Sequence, residues 1–194
     1  MKRVYLAGSL FDARHVLGNA FLADAIREHS DGRYDVLIPQ DIELPDMEAK
    51  TIRDSDFRAV LDCDAAVFLF DGSELDSGVV AELMVAKFAD MPSVLLRTDF
   101  RRSGDRNIRP WNLMCDFFPR TETLVLDAMD MYSSFRDDVK SSSIDAAKAA
   151  ISSVAKKLID KLDTVVATDS LVEDREKLLP WLETSLGLEE KIEA

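Results

Sequence analysis

Four carboxylates in the first half of the chain are spaced for chemistry. Asp71, Asp76 and Glu82 lie within twelve residues of one another, and Asp56 precedes Asp76 by twenty. Carboxylates are the groups of general acid–base catalysis and of covalent carboxylate catalysis. Each one also has an ordinary explanation. An acid just before a helix is favoured as a cap and by the helix dipole, which suits Asp76. Glu82 in isolation reads as a solvated helix face.

These acids must be held by a fold, and the sequence predicts one. Val4–Ala7, Tyr34–Ile38, Ala65–Phe70, Ser93–Leu96 and Thr123–Leu126 are short apolar runs bounded by Gly, Pro or Asp, as expected of buried parallel strands. Between them, helical spacing covers Val16 to about His29, Ala49–Leu61 and, opened by Ser77 or Gly78, a stretch through Phe88. Residues 39–48 and Arg97 to about Pro110 read as loops. Alternation of strand and helix predicts an α/β fold: a flavodoxin-like, doubly wound, mostly parallel five-stranded sheet. Ligands of such sheets sit beyond the carboxyl ends of the strands, where Asp71 and Asp76 fall. After Asp127 the pattern turns helical, notably over 144–162 and 171–186. We divide the chain into an α/β domain, 1–127, and a helical C-terminal extension, 128–194, packed on the domain or on a partner subunit.

Composition narrows the partners. The chain has 194 residues, 37 acidic against 24 basic, for a formal charge of -13. So negative a protein is not expected to grip nucleic acid or an anionic membrane surface, both of which need a positive field. No apolar run is long enough for a membrane helix, and the N-terminus lacks a signal-peptide stretch, so the cytoplasm is the expected location. Cys63 and Cys115 read as small buried hydrophobes. His15 and His29 lack the spacing of a zinc site and are expected at the surface, so no metal is expected. No P-loop or dinucleotide-binding glycine motif occurs. Arg97, Arg101, Arg102, Arg106 and Arg109 form the one basic cluster, either a solvated loop or a phosphate contact or subunit junction.

Read whole, the segment Asp71-Gly72-Ser73-Glu74-Leu75-Asp76-Ser77-Gly78-Val79-Val80-Ala81-Glu82 resembles the signature of the nucleoside 2-deoxyribosyltransferase family. In that family a strand ends in Asp-Gly, Asp-Ser-Gly opens a helix, and a Glu follows that Asp by six positions. Tyr5-Leu6-Ala7-Gly8-Ser9-Leu10-Phe11 is similar to the family's first-strand motif, with Ser9 in place of the usual Pro. Asp56 falls where members carry another acid, and Asn112-Leu113-Met114 resembles a segment that completes the site from a neighbouring subunit. The chain departs from the family in reading Leu83-Met84-Val85 after Glu82 where Gly-Tyr-Ala is usual, and in running on past the fifth strand.

The resemblance implies a cofactor-free, metal-free enzyme acting on 2′-deoxyribonucleosides and free nucleobases, assembled as a homo-oligomer with shared sites. Glu82 would be the nucleophile at C1′, forming a 2-deoxyribosyl-enzyme intermediate that an incoming base resolves. Tyr5 would orient Glu82; Asp76, or Asp56 through the sugar side, would protonate the departing base, a role we assign to Asp76, and Asp56 would hold the sugar hydroxyls. Gly8 and Gly78 belong to the substrate loops, Phe11 is placed to stack on the base, Gln40 to read it, and Asn112 to reach a partner's site. Two alternatives stay open. One is a hydrolase acting on deoxynucleosides or their 5′-monophosphates, against which Asp12 in the first loop speaks by repelling phosphate. The other is a noncatalytic nucleotide-binding module of the same architecture.

Overall fold

A computed structural model describes residues 1–101, 111–138 and 142–188. Arg102, Arg106 and Arg109 lie outside the described residues. Five parallel strands form one sheet in the order β2-β1-β3-β4-β5: β1 (Lys2–Ala7), β2 (Tyr34–Leu37), β3 (Ala65–Leu69), β4 (Ser93–Arg97) and β5 (Thr121–Val125). This is the doubly wound, flavodoxin-like arrangement the alternating pattern predicts. β3 explains why it forms. Ala65–Phe68 are wholly buried on both faces of the sheet, so the strand is apolar without alternation.

Helices cover both faces. α1 (Ala13–His29) packs on one, and α2 (Ala49–Leu61) and α3 (Ser77–Phe88) pack on the other. Asp12 starts α1 by accepting hydrogen bonds from the Arg14 and His15 amides at 2.8 and 3.1 Å. The face alternation along β1 is decisive for the site. Val4 and Leu6 point into the core under α1, whereas Tyr5 and Ala7 point into the core under α2 and α3.

The C-terminal helices are α4 (Ala128–Asp138), α5 (Ser143–Val166) and α6 (Arg175–Ser185), and they pack on the chain's own sheet. α5, opened by a reciprocal Ser142–Asp145 capping box, runs beside α1 and buries Val154, Leu158, Ile159, Leu162 and Val165. Each such side chain contributes roughly 1.5–3 kcal/mol of burial energy, so this helix is integral to its core. Asp163 ties it to the start of β2, accepting from Tyr34 Oη at 2.6 Å and pairing with Arg33. α6 lies on the opposite face, with Leu178, Leu179 and Leu182 in the core that holds α2 and α3. Arg175 donates to the Leu61 and Cys63 carbonyls at 3.1 and 3.3 Å, and Arg53 of α2 donates to the Leu186 carbonyl at 3.0 Å.

Three expectations are corrected. Arg97 is not a loop residue: it closes β4, is 0% exposed, and donates to the Phe70, Gly72 and Arg101 carbonyls. Buried carbonyls beyond the end of β3 need donors, and the guanidinium supplies several in one fork. His29 is half-buried, with Nε2 enclosed and lacking a partner among the described residues, so it is no surface residue. β5 begins at Thr121 rather than Thr123, because its hydrogen-bonding register with β4 starts at the pair Ser93 and Thr121.

Candidate active site

Glu82 stands about one and a half turns into α3, on the helix face turned toward the sheet, and is 8% exposed. A buried carboxylate needs a partner. Its partner is Tyr5 of β1, whose hydroxyl donates to Glu82 Oε1 at 2.7 Å across 77 residues of sequence. Pairing of β1 directly with β3, which feeds α3, brings the two together. Reading Glu82 as a solvated helix face is therefore overturned.

Charge in this pocket is finely set. Burial pushes the Glu82 carboxyl up to about 7; the Tyr5 hydrogen bond opposes that rise, and the neighbouring charges of Asp56 and Asp76 add to it. Burial, with the adjacent Glu82, likewise raises Tyr5 far above the usual phenol range, so Tyr5 stays a donor. Asp56, half-buried on α2, is also held above its ordinary value by burial. Tyr5, Glu82 and the half-buried Asp56 thus cluster, with Asp76 at the start of α3 near enough to act on Glu82 by charge, an arrangement suited to stabilising a developing cation.

Asp76 caps α3. Its Oδ1 accepts from the Gly78 and Val79 amides at 2.8 and 3.2 Å. A Cβ at position 78 would stand 3.1 Å from that same oxygen, which accounts for Gly78. Gly8 ends β1 under tighter constraint, since a Cβ there would meet Leu69 Cδ1 at 2.7 Å. The loop that carries Asp76 is braced from β4. Asp71 accepts from the Thr98 and Asp99 amides at 2.5 and 2.8 Å, and Asp99 accepts from the Gly72 amide at 3.1 Å. Asp71 is accordingly a loop brace, and Arg101 is occupied by Asp99.

The remaining candidates are more dispersed. Phe11 is 80% exposed at the start of the first loop. Gln40, in a single 3-10 turn after β2 (Pro39–Asp41), donates to the Val16 carbonyl at 2.7 Å, and its side chain lies against α1. Asn112 is exposed and caps a second 3-10 turn, accepting from the Met114 amide at 2.9 Å. Two residues of the site region escape sequence reasoning. Asn19 of α1 is buried and donates to the Ser9 carbonyl at 3.1 Å, fixing the first loop. A polar residue on the apolar stripe of α1, between Val16 and Ala23, was its only signal. Arg97 is the other, hidden among the loop arginines. Among the described residues no group of three or more His, Cys, Asp or Glu is arranged to hold a metal ion.

The sequence model of nucleoside 2-deoxyribosyltransferases matches residues 4–114, from the strand of Tyr5 through the Asn112 turn. The chain belongs to the nucleoside 2-deoxyribosyltransferase family. Members act on nucleosides and nucleobases. The search among curated proteins finds no match. Among solved structures, a conserved protein from Enterococcus faecalis V583 is 26% identical with a TM-score of 0.55, over 72% of this chain and 99% of its own. A 2-desoxiribosyltransferase from Leishmania mexicana is 22% identical, with a TM-score of 0.49 over 71% of this chain and 98% of its own. The CMP N-glycosidase BcmB of Clostridium botulinum is 16% identical, with a TM-score of 0.48 over 71% of this chain and 100% of its own. The family match ends before β5, so α4, α5 and α6 lie beyond it. Among the described residues no helix is long and apolar enough to cross a membrane.

Proposed function

We propose that this member of the family is a nucleoside 2-deoxyribosyltransferase that exchanges the base of 2′-deoxyribonucleosides through a covalent 2-deoxyribosyl-Glu82 intermediate. The observation that carries the reading is the buried Tyr5–Glu82 hydrogen bond with Asp56 and Asp76 beside it. A carboxylate held in a poorly solvated pocket is reactive toward an electron-poor carbon.

An ionised Glu82 oxygen attacks C1′ as the C1′–N bond breaks, and the bond's electron pair leaves with the base. The base needs a proton to depart, and we assign that proton to Asp76 Oδ2, since Oδ1 is engaged in capping α3. Asp56, beside Glu82, holds the sugar hydroxyls. An acceptor base then attacks C1′ from the face the first base left. The glycosyl ester breaks, its electron pair returns to Glu82, and the acceptor's proton passes back to Asp76. Two inversions give net retention. The Tyr5 hydroxyl keeps one carboxylate oxygen occupied, which leaves the other to face C1′.

The remaining assignments follow the same reading. Gly8 and Gly78 allow the two loops to approach the sugar and Phe11 closes over the base, whereas Gln40 would have to leave the Val16 carbonyl to read the base edge. Asn112, exposed on its turn, reaches the site of a second copy in a homo-oligomer. Residues 1–127 supply the chemistry and 128–194 a supporting wall. Nucleosides are favoured over 5′-monophosphates because Asp12 stands in the first loop, where it caps α1 and would repel a phosphate.

The test is chromatography of the purified protein with deoxyinosine, with and without free adenine, beside Glu82→Ala. Deoxyadenosine formed by wild type alone supports base exchange through Glu82. Hypoxanthine released without an exchange product refutes transfer in favour of hydrolysis. Silence on purine and pyrimidine deoxynucleosides and on monophosphates refutes catalysis.

A further inference from the structure

Two loops leave the carboxyl ends of β3 and β4, and they grip each other. The first, residues 70–76, carries Asp76 into α3; the second follows Arg97. Gly72 of the first loop is held by both its N–H and its carbonyl. The N–H donates to Asp99 Oδ2 at 3.1 Å, and the carbonyl accepts from Arg97 Nη2 at 3.1 Å. Gly72 does so at φ +108°, a conformation that side chains rarely adopt. Arg97 Nη1 also reaches the Phe70 carbonyl, and Nη2 the Arg101 carbonyl at 3.3 Å, so one guanidinium ties both loops to the end of β4. From the other side, Asp71 accepts from the Thr98 amide, the Thr98 hydroxyl and the Asp99 amide at 2.5, 2.8 and 2.8 Å.

This clasp is buried and keeps its charges. Arg97 is wholly enclosed, and Asp99, 3.8 Å from it, has a side chain only 10% exposed. The hydrogen bond from Arg101 holds the Asp99 carboxyl well below the usual carboxylate range, so it stays ionised throughout the neutral range. Opening the clasp would leave buried carbonyls and a buried charge without partners, which resists any drift of one loop against the other.

The clasp bears on Asp76. Asp71, Thr98 and Asp76 line one cleft above the strand ends. Asp76 is fixed on one side by capping α3, and the clasp fixes the chain four residues earlier, at Gly72. With the intervening turn pinned at both ends, the carboxyl oxygen that is free of the cap keeps one direction. We propose, resting on the reading given under Proposed function, that Arg97 and Asp99 are positioning residues: by clasping Gly72 they aim Asp76 Oδ2 at the departing base.

The chemistry supplies a selective test. When C1′–N9 of deoxyinosine breaks, the bond's electron pair goes to the base and a proton from Asp76 completes its departure. In 7-methyl-2′-deoxyinosine the base already carries a positive charge. The same electron pair neutralises that charge, and no proton is needed. Misplacing Asp76 therefore slows the first substrate and spares the second, whereas general damage to the fold slows both.

Single-turnover release of the base, with the full chain in excess over nucleoside, reads the first half of the reaction; release in the presence of Glu82→Ala is subtracted as background. Asp76→Asn sets the reference pattern. A misplacement of about 1 Å can cost on the order of a hundredfold, so Arg97→Lys and Asp99→Ala should each slow deoxyinosine by about tenfold or more and 7-methyl-2′-deoxyinosine by about twofold or less. Asp99→Asn, which keeps an oxygen for the Gly72 amide, should recover most of the loss. If Arg97→Lys does not fold, the two Asp99 variants decide.

Equal slowing of both substrates by the clasp variants, no slowing of either, or Asp99→Asn as poor as Asp99→Ala overturns the inference. If wild type releases base from neither substrate, the catalytic reading fails and this inference falls with it. If Asp76→Asn is selective and the clasp variants are not, this inference alone fails.

Discussion

Glu82→Gln should turn a pH-dependent stability into a flatter one. In the folded chain the Glu82 carboxyl is pushed up to about 7, against an ordinary 4.5, chiefly because burial penalises its charge. Its folded pKa lies above the unfolded value, so its contribution is fully present below about pH 4.5. That contribution is lost as pH rises toward 7, because the unfolded chain releases the proton freely and the folded chain resists. At 1.36 kcal/mol per pH unit, the interval between 4.5 and about 7 is worth on the order of 3 kcal/mol. Glutamine keeps an oxygen for the Tyr5 hydroxyl and has nothing to ionise. Other groups titrate alike in both proteins and cancel in the difference. The variant should therefore gain about 3 kcal/mol relative to wild type between pH 4 and pH 8, or about 6–12 °C in Tm for a chain of this length. Thermal unfolding of both proteins across that range, followed by circular dichroism, measures it. A difference that stays constant with pH would refute a buried, proton-holding Glu82. The same variant should lose transferase activity by at least about a thousandfold, since an amide is no nucleophile.

Other outcomes follow from the same geometry. Attack needs an ionised Glu82 and departure needs a protonated acid, so kcat/KM should follow a bell, with a rising limb near 7 set by Glu82 and a falling limb where the proton for the base is lost; Tyr5→Phe, which removes a hydrogen bond favouring the ionised carboxylate, should move the rising limb upward by about one pH unit and slow turnover by about tenfold or more. Asp76→Asn keeps a good helix cap, so its Tm should match wild type within about 2 °C while activity falls, whereas Asp76→Ala should also lose about 1 kcal/mol in chemical denaturation. Gly8→Ala brings a Cβ to 2.7 Å from Leu69 Cδ1, a methyl at the end of a partly buried side chain that can swing aside, so urea unfolding should report a loss of about 1 kcal/mol.

Much of this protein is legible from local sequence. β3 reads as a strand because it is apolar throughout, and a strand buried on both faces has to be. The start of α3 reads from Asp76-Ser77-Gly78, because capping is satisfied within three residues. Spacing and residue type pointed to Asp56, Asp76 and Glu82, and the resemblance of the first strand added Tyr5, although neither says what any of them touches. The reading faltered where burial depends on distant chain. Arg97 looks like one of five loop arginines, and only the carbonyls at the end of β3, some 25 residues earlier, require it inside. Asn19 likewise matters only through the loop it fixes.

Periodicity marked residues 144–162 and 171–186 as helical, yet carried no information on which face of the sheet each would cover. An amphipathic stripe states that a surface must be buried, not against what. The fold sent α5 to α1 and α6 to α2, and thereby covered both faces of the sheet with residues beyond the family match. The sequence by itself determined the elements, their order and the set of acids, since caps, turns and apolar runs act over a few residues. Tertiary structure alone decided that Tyr5 meets Glu82 and that both are dry, because desolvation and a hydrogen bond across 77 residues exist only once β1 and β3 are paired.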